Sequence, residues 1–252
     1  QLPEVGAGAA YEFTSTQLIP QAPAGTPVTL ENPDRPDHFL ADSDAGLRLT
    51  SFKGGWDLSL NYLYHYQDAQ VLRRRFEGGR ITVTPDYERT HLIGGTFSNA
   101  FGDYTLRGEI GYSTDRFFIT NDPADTDGIA ETPELGTVLG VDYNGITDVL
   151  LSGQIFANHI TDFQDGMTRD ETETQATFLY EHDFMNEALT TSLLTIQSLN
   201  DGDGLIQADI AYEYRANIIF KAGADIFYGK NEGLFGQFQN NDRITVGMEF
   251  GF

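Results

Sequence analysis

Arg243-Ile244-Thr245-Val246-Gly247-Met248-Glu249-Phe250-Gly251-Phe252 closes the chain. Its residues sort by parity. Ile244, Val246, Met248, Phe250 and Phe252 fall on one face of an extended strand, and Thr245, Gly247, Glu249 and Gly251 on the other, because successive strand side chains point to opposite faces. One face suits an apolar surrounding while the other carries charge.

The same period recurs upstream. Ile218, Phe220, Ala222, Ala224, Ile226 and Tyr228 oppose Lys221, Gly223 and Asp225; Ile206, Ala208, Ile210, Tyr212 and Tyr214 oppose Gln207, Asp209, Glu213 and Arg215. Eleven such segments are read at 44–53, 56–66, 87–98, 103–114, 135–143, 148–158, 171–182, 188–198, 204–214, 218–228 and 243–252. Most have the length that lets a tilted strand cross a bilayer, about 9–11 residues. The connections alternate between tight turns (53–55, 99–102, 144–147, 183–187, 215–217) and longer polar loops (67–86, 115–134, 159–170, 229–242, with 200–203 the shortest). That order is the layout of an antiparallel up-and-down transmembrane β-barrel, with periplasmic turns and extracellular loops. A soluble β-sandwich is the rival fold.

Composition narrows the classes further. The chain has 252 residues, 38 acidic against 15 basic, and a formal charge of −23. A surface so negative repels nucleic acid, whose binding requires Lys and Arg on phosphates. The 12 Tyr and 18 Phe argue against a disordered acidic protein and suit pleated surfaces. No cysteine is present, so there is no disulfide framework and no thiolate metal site. No run of 18 apolar residues offers a transmembrane helix, and a barrel needs none, since only alternate residues of its strands meet lipid.

Strand parity bears on the domain plan. With Phe252 in the periplasm the last strand runs inward, and so does 44–53. An even barrel then needs one further strand, for which Gly6–Gln17 is the candidate. Residues 1–43 are therefore expected to hold a weak first strand and a Pro-rich loop or linker, and 44–252 the membrane strands. The whole is either a barrel of about 12 strands or the C-terminal part of a larger one.

The charged faces collect Arg48, Asp57, Arg107, Glu109, Gln154, Asp209, Glu213, Arg215, Lys221, Asp225 and Glu249 as residues expected to line a lumen. They either line an aqueous pore, whose acid excess favours cations or neutral solutes, or fill a narrow lumen with ion pairs, for which neighbours such as Arg107/Glu109 and Glu213/Arg215 are suited. Tyr62, Tyr64, Tyr66, Tyr212, Tyr214, Phe250 and Phe252 are expected in the aromatic girdles at the membrane interfaces. Arg73-Arg74-Arg75, in the 67–86 loop, either grips lipopolysaccharide phosphates or neutralises acidic loops. Asn121–Gly128 and Asn200–Gly204 are clusters of carboxylates and carbonyls that could take Ca²⁺, although the first lacks the closing Glu of an EF-hand loop. Their plainer readings are a solvated loop and a Gly-bearing turn. His38, His65, His91, His159 and His182 form no pair with metal spacing, and no Ser occupies a nucleophile elbow. No catalytic residue, metal or cofactor is expected.

Several stretches also resemble a known family. These are Gly54-Gly55-Trp56-Asp57-Leu58-Ser59-Leu60-Asn61-Tyr62, Glu88-Arg89-Thr90-His91, Gly94-Gly95-Thr96-Phe97-Ser98, Phe101-Gly102-Asp103, and the run from Phe227-Tyr228-Gly229 through Gly233-Leu234-Phe235-Gly236-Gln237-Phe238 to Asn241-Asp242-Arg243. Over roughly 44–252 the chain resembles a family of Gram-negative outer-membrane proteins characterised mainly as a domain of unknown function. Their genes often lie near RND-type exporters and a periplasmic lipoprotein-like partner family. The resemblance implies an outer-membrane location and members about twice this length, extended on the N-terminal side. It further implies passage or export of hydrophobic compounds, and no functional residue carries over from it. The expected surroundings are outer-membrane lipid and lipopolysaccharide, with a membrane or periplasmic protein partner. Two roles fit: a channel or transport protein for small or hydrophobic solutes, or a non-conducting structural or interaction barrel beside a larger complex.

Overall fold

A computed structural model describes residues 25–33, 35, 36, 38, 42–122, 124–231 and 233–251. Phe252 and the candidate strand Gly6–Gln17 lie outside the described residues. Alternation of apolar and polar side chains produces strands wherever it was found: β2 (Ala45–Lys53), β3 (Trp56–Tyr66), β6 (Arg89–Phe101), β7 (Tyr104–Ile119), β8 (Ile129–Ile146), β9 (Val149–Ile160), β10 (Thr172–Phe184), β11 (Leu189–Ser198), β12 (Gly204–Arg215), β13 (Ile218–Tyr228) and β14 (Arg243–Phe250). Three more strands, β1 (Val28–Leu30), β4 (Val71–Glu77) and β5 (Arg80–Asp86), form a small separate sheet in the order β1-β5-β4. The helical content of the described residues is one 3-10 turn at Gly236–Phe238, and no helix there is long and apolar enough to cross a membrane.

Hydrogen-bonded neighbours in the large sheet run β14-β13-β12-β11-β10-β9-β8-β7-β6-β3-β2. The pairs β2–β3, β3–β6, β6–β7, β10–β11, β11–β12, β12–β13 and β13–β14 are all antiparallel. The fold is thus all-β and antiparallel. Its order has two ends, β2 and β14, and closure between them is not among the pairings of the described residues.

By compactness the described residues divide into two units, one of 25–141 with 155–174, the other of 142–154 with 175–251. In the first, β2, β3, β6 and β7 form a ladder whose tight turns use Gly54-Gly55 and Gly102 at positive φ. Leu47, Leu49, Leu58, Leu60, Ile93 and Ile110 lie exposed on one face. In the second, β10 to β14 behave alike: Phe178, Leu193, Ile210, Phe220, Ile226, Ile244, Val246 and Met248 share an exposed apolar face. Val246 is 84% exposed, a position in which a water-soluble sheet would normally bury a valine against a second layer.

The region 67–86 departs from expectation. Rather than an irregular loop it is the β4–β5 hairpin, turned at Gly78-Gly79 with φ of 59° and 76°. Glycine is needed at both positions because a two-residue hairpin turn of this type requires positive φ twice. β1 adds to β5 in parallel, pairing Val28 with Ile81 and Leu30 with Val83, and Val71, Ile81 and Val83 are buried there. β7 and β8 are also longer than read, at 16 and 18 residues.

Candidate functional site

Register decides which polar side chains share a face, since directly opposed residues of an antiparallel pair lie on the same side. In the first unit Arg48 opposes Asn61, Ser59 opposes Thr96, Asp57 opposes Ser98, Ser98 opposes Arg107, and Thr96 opposes Glu109. Arg48, Asp57, Arg107 and Glu109 therefore lie on one continuous polar face. A cleft of about 340 Å³ opens on it, floored by Gly94, Gly111 and Gly136 and walled by Asn61, Glu109, Glu134, Phe156 and Asn158. Gly94 and Gly111 are directly paired, so no side chain rises there.

In the second unit Asp209 opposes Gly223, Gln207 opposes Asp225, and Asp225 opposes Arg243. Gln207 Nε2 donates to Asp225 Oδ1 at 2.8 Å, the Arg243 guanidinium ion-pairs with the same carboxylate, and Lys221 Nζ meets Glu249 Oε2 at 2.6 Å. Asp209, Glu213, Lys221, Asp225 and Glu249 share this face, and Gln154 has the parity of Phe156 on β9. Leu194 and Ile196 share it too, opposite Gln207 and Leu205, so the face is mixed rather than uniformly polar.

One expectation changes. Arg215 leaves the charged face: the register shifts between Glu213 and Arg215, which sets Arg215 opposite Ile218 and over the Tyr214 ring at 5.3 Å. A one-residue slip sends a side chain to the other face. The ion pairs of this face run across strands, Arg243 to Asp225 and Lys221 to Glu249, and among the described residues Glu109 and Glu213 take part in none of them. Residues two apart on one strand are about 7 Å apart at Cα, whereas opposed residues on neighbouring strands are about 5 Å apart, so pairing goes across strands.

Arg73 is the hub of a second cluster, at the loop end of the first unit. Its guanidinium bonds Asp127 Oδ2 at 2.6 Å and Glu88 Oε1 at 2.5 Å, lies 3.3 Å from Asp86 Oδ2, and stacks 5.5 Å over Phe117. The Arg74 backbone N–H donates to Asp127 O and its Nη2 to Thr120 O, while Arg75 faces Glu77 at 3.9 Å, well exposed. Of the two readings of the arginine run, Arg73 and Arg74 follow the second, binding the acidic loop. The carboxylates of that loop are engaged as well: Asp122 Oδ1 caps Ala124 N–H, Asp125 Oδ1 accepts from Asp127 and Gly128 N–H, and Asp127 Oδ1 accepts from Ile129 N–H. Nearby, Arg169 ion-pairs with Glu173 and sits 3.5 Å from Glu134, which Arg116 also reaches at 3.1 Å.

Burial works against the charge on Arg169, but the hydrogen bond and charge of Glu173, with the charge of Glu134, hold its pKa above the ordinary arginine value. At Asp127 burial opposes ionisation and is outweighed by the Arg73 guanidinium and the Ile129 N–H, so its pKa lies below that of a free aspartate. A depressed folded-state pKa contributes stability above the unfolded value, about 3.9, that is lost as pH falls through the folded value. Thermal unfolding followed by circular dichroism should thus find Asp127→Asn less stable than wild type at pH 7. The gap should hold down to about pH 4 and shrink below it; a gap independent of pH contradicts the assignment.

Aromatic residues gather at strand ends. At the loop end of β3, Tyr62 shares a 2.8 Å hydrogen bond with His91 Nδ1, Tyr64 stacks on His91 at 4.7 Å, and the Arg89 guanidinium lies over Tyr66 at 3.9 Å and Tyr64 at 4.7 Å. At the turn end of the same unit Trp56 packs on Phe97 and Phe101 at 6.1 and 5.9 Å, a group that the tyrosine spacing did not reveal. In the second unit Tyr212, Tyr214 and Phe250 lie toward the turn end, Tyr214 against Phe220 at 6.3 Å. The other histidines bond locally: His65 with Tyr66 O, His159 with Thr172 Oγ1, His182 with the Tyr180 hydroxyl and His38 beside Asp42. Among the described residues no cluster of three His, Asp or Glu is arranged to hold a metal ion.

Asp203, within the stretch read as a turn, is fully buried. Its Oδ2 accepts the Phe235 and Gly236 N–H groups of the β13–β14 loop. The closely spaced Gly229, Gly233 and Gly236 are the sequence signal for that approach: a Cβ at Gly229 or Gly233 would lie 2.2 or 2.5 Å from Asp203 atoms.

In comparison with known proteins, a family model described as "Protein of unknown function (DUF1302)" matches residues 3–252. No curated protein matches.

Proposed function

The chain belongs to this family of unknown function over nearly its whole length, and from that premise we propose that it is a bacterial outer-membrane β-barrel that passes small or hydrophobic solutes. One observation supports this most: each unit's sheet exposes a face of Leu, Ile, Val and Phe while its opposite face carries Arg, Lys, Asp and Glu. Lipid outside and water inside satisfy both faces, whereas a soluble sheet satisfies only the charged one. Tight turns alternating with long loops, and Tyr, Trp and Phe at strand ends, support the same reading. The large sheet orders eleven strands among the described residues, so closure with an even strand number takes at least one more, from 6–17 or from a larger barrel. Outer-membrane lipid and lipopolysaccharide are then its surroundings, and Arg48, Asp57, Gln154, Asp209 and the ladder around Asp225 face the aqueous path.

A second role, a non-conducting structural or interaction barrel beside a protein complex, is favoured by the same ladder, whose cross-strand ion pairs occupy the polar side. Planar-bilayer recording on the purified full chain separates the two. Discrete current steps, with cations preferred to anions, are expected for the channel; persistent silence under voltage and solute gradients leaves the structural role.

A further inference from the structure

We infer that the glycine-floored cleft on β6, β7, β8 and β9 is a binding station for a small organic cation: an ammonium group carried on a compact apolar body. The inference rests on the proposed aqueous character of the charged face, and it names the solute class that face would hold.

Three features of the cleft point to such a ligand. Its size, about 340 Å³, is at the lower end of pockets that hold small molecules, roughly 300–1,000 Å³. Its charge is one-sided. Glu134, only 12% exposed, already has Arg116 and Arg169, while Glu109 has no hydrogen-bond or ion-pair partner among the described residues. No Lys or Arg belongs to the lining; Arg107, the next cation on β7, lies two residues toward the Gly102 turn. Finally, the walls combine the Phe156 ring with the carboxamides of Asn61 and Asn158. A carboxylate supplies the counter-charge, carboxamide oxygens accept ammonium N–H groups, and a ring offers its face to apolar carbon or to the cation.

The floor also allows a clean block. A Cβ on Gly94 would strike the Ile110 carbonyl oxygen at 2.7 Å, which ties that glycine to backbone packing. A Cβ on Gly111 would meet only the Leu92 Cδ1 at 3.3 Å, so Gly111→Leu fills the cleft at little steric cost to the sheet.

The test is calorimetric titration of the full chain in detergent micelles with 2-phenylethylammonium, 2-phenylethanol and 2-phenylacetate. The ammonium should bind saturably and the carboxylate not at all, with the alcohol at least tenfold weaker than the ammonium. Glu109→Gln should weaken ammonium binding at least tenfold, and Gly111→Leu should abolish it. Equal binding by Glu109→Gln, or 2-phenylacetate binding as tightly as the ammonium, overturns the inference. Should Gly111→Leu fail to fold, Glu109→Gln alone decides, because the Glu109 side chain is exposed and, among the described residues, unpaired. Failure of the transport reading shows separately: a chain silent in bilayers that binds the ammonium through Glu109 upholds the station. A conducting chain indifferent to Glu109 overturns the station only.

Discussion

Asp203→Ala should destabilise the protein by about 3 kcal/mol, more than any other single polar truncation in the β11–β14 region, as read from urea unfolding followed by circular dichroism in detergent. The carboxylate is fully buried and accepts two backbone N–H groups from a loop 32 and 33 residues away. Hydrogen bonds to a charged group contribute about 1.5–3 kcal/mol each, and a buried donor left without an acceptor costs about 1–3 kcal/mol. Alanine removes both bonds and leaves the Phe235 and Gly236 donors unsatisfied, while some relaxation of the loop toward water keeps the sum below the simple total. The surrounding chain reinforces the site: Ser198 N–H and Gln197 Nε2 both donate to Asp203 O, and Tyr228 donates to Gln197 Oε1 at 2.6 Å. Asp203→Asn keeps one acceptor oxygen at the same place. It loses the charge that strengthens both bonds, so this variant should fall between wild type and alanine. Gly229→Ala, with its φ of 117° and a Cβ 2.2 Å from the Asp203 side chain, should undock the same loop. A loss under about 0.5 kcal/mol for Asp203→Ala would mean that the loop is held elsewhere.

That clasp illustrates what the sequence discloses and what it withholds. Asn200–Gly204 reads locally as a turn, and its turn character is real, with Gly202 at φ 72°. Nothing within five residues says that Asp203 bonds the backbone of residues 235 and 236. The strands are legible because their signal is local: alternation alone placed 56–66 and 218–228 at the observed bounds of β3 and β13. The β4–β5 hairpin escaped notice because Arg73-Arg74-Arg75 breaks the alternation, although Gly78-Gly79 between Phe76 and Ile81 is a hairpin signal. β1 pairs in parallel with a strand some fifty residues on, a contact that no period announces. For the candidate site, parity assigned Arg48, Asp57, Arg107, Glu109, Asp209, Lys221, Asp225 and Glu249 to shared faces, since a face needs only counting. The partners of those residues depend on register, which turn geometry fixes. Hence Asp225 bonding both Gln207 and Arg243, and Glu109 left alone to face a cleft, emerge only from the assembled ladder.

The faces themselves allow the most direct test of membrane residence. Ile210 sits midway along β12, half exposed on the apolar face, opposite Thr191 and Ala222. Ser192 lies on the charged face of β11, opposite Asp209 and Glu181. Ile210→Arg should cost about 2–4 kcal/mol in refolding into lipid vesicles, the penalty of a guanidinium near the bilayer midplane of a barrel strand. Ser192→Arg places the same side chain between two carboxylates, in reach of cross-strand pairing that contributes about 0.2–1 kcal/mol, and should be near neutral. The contrast removes general effects of arginine on a strand, because both sites lie inside neighbouring strands of one ladder. It also separates the rival fold, since arginine at an exposed position of a water-soluble sheet is ordinarily within about 0.5 kcal/mol of wild type. If the two variants refold with equal ease, lipid does not meet the face of Ile210. The period-2 pattern ending at Phe250 would then describe a sheet whose apolar side is covered by protein, and the transport reading would fall with it.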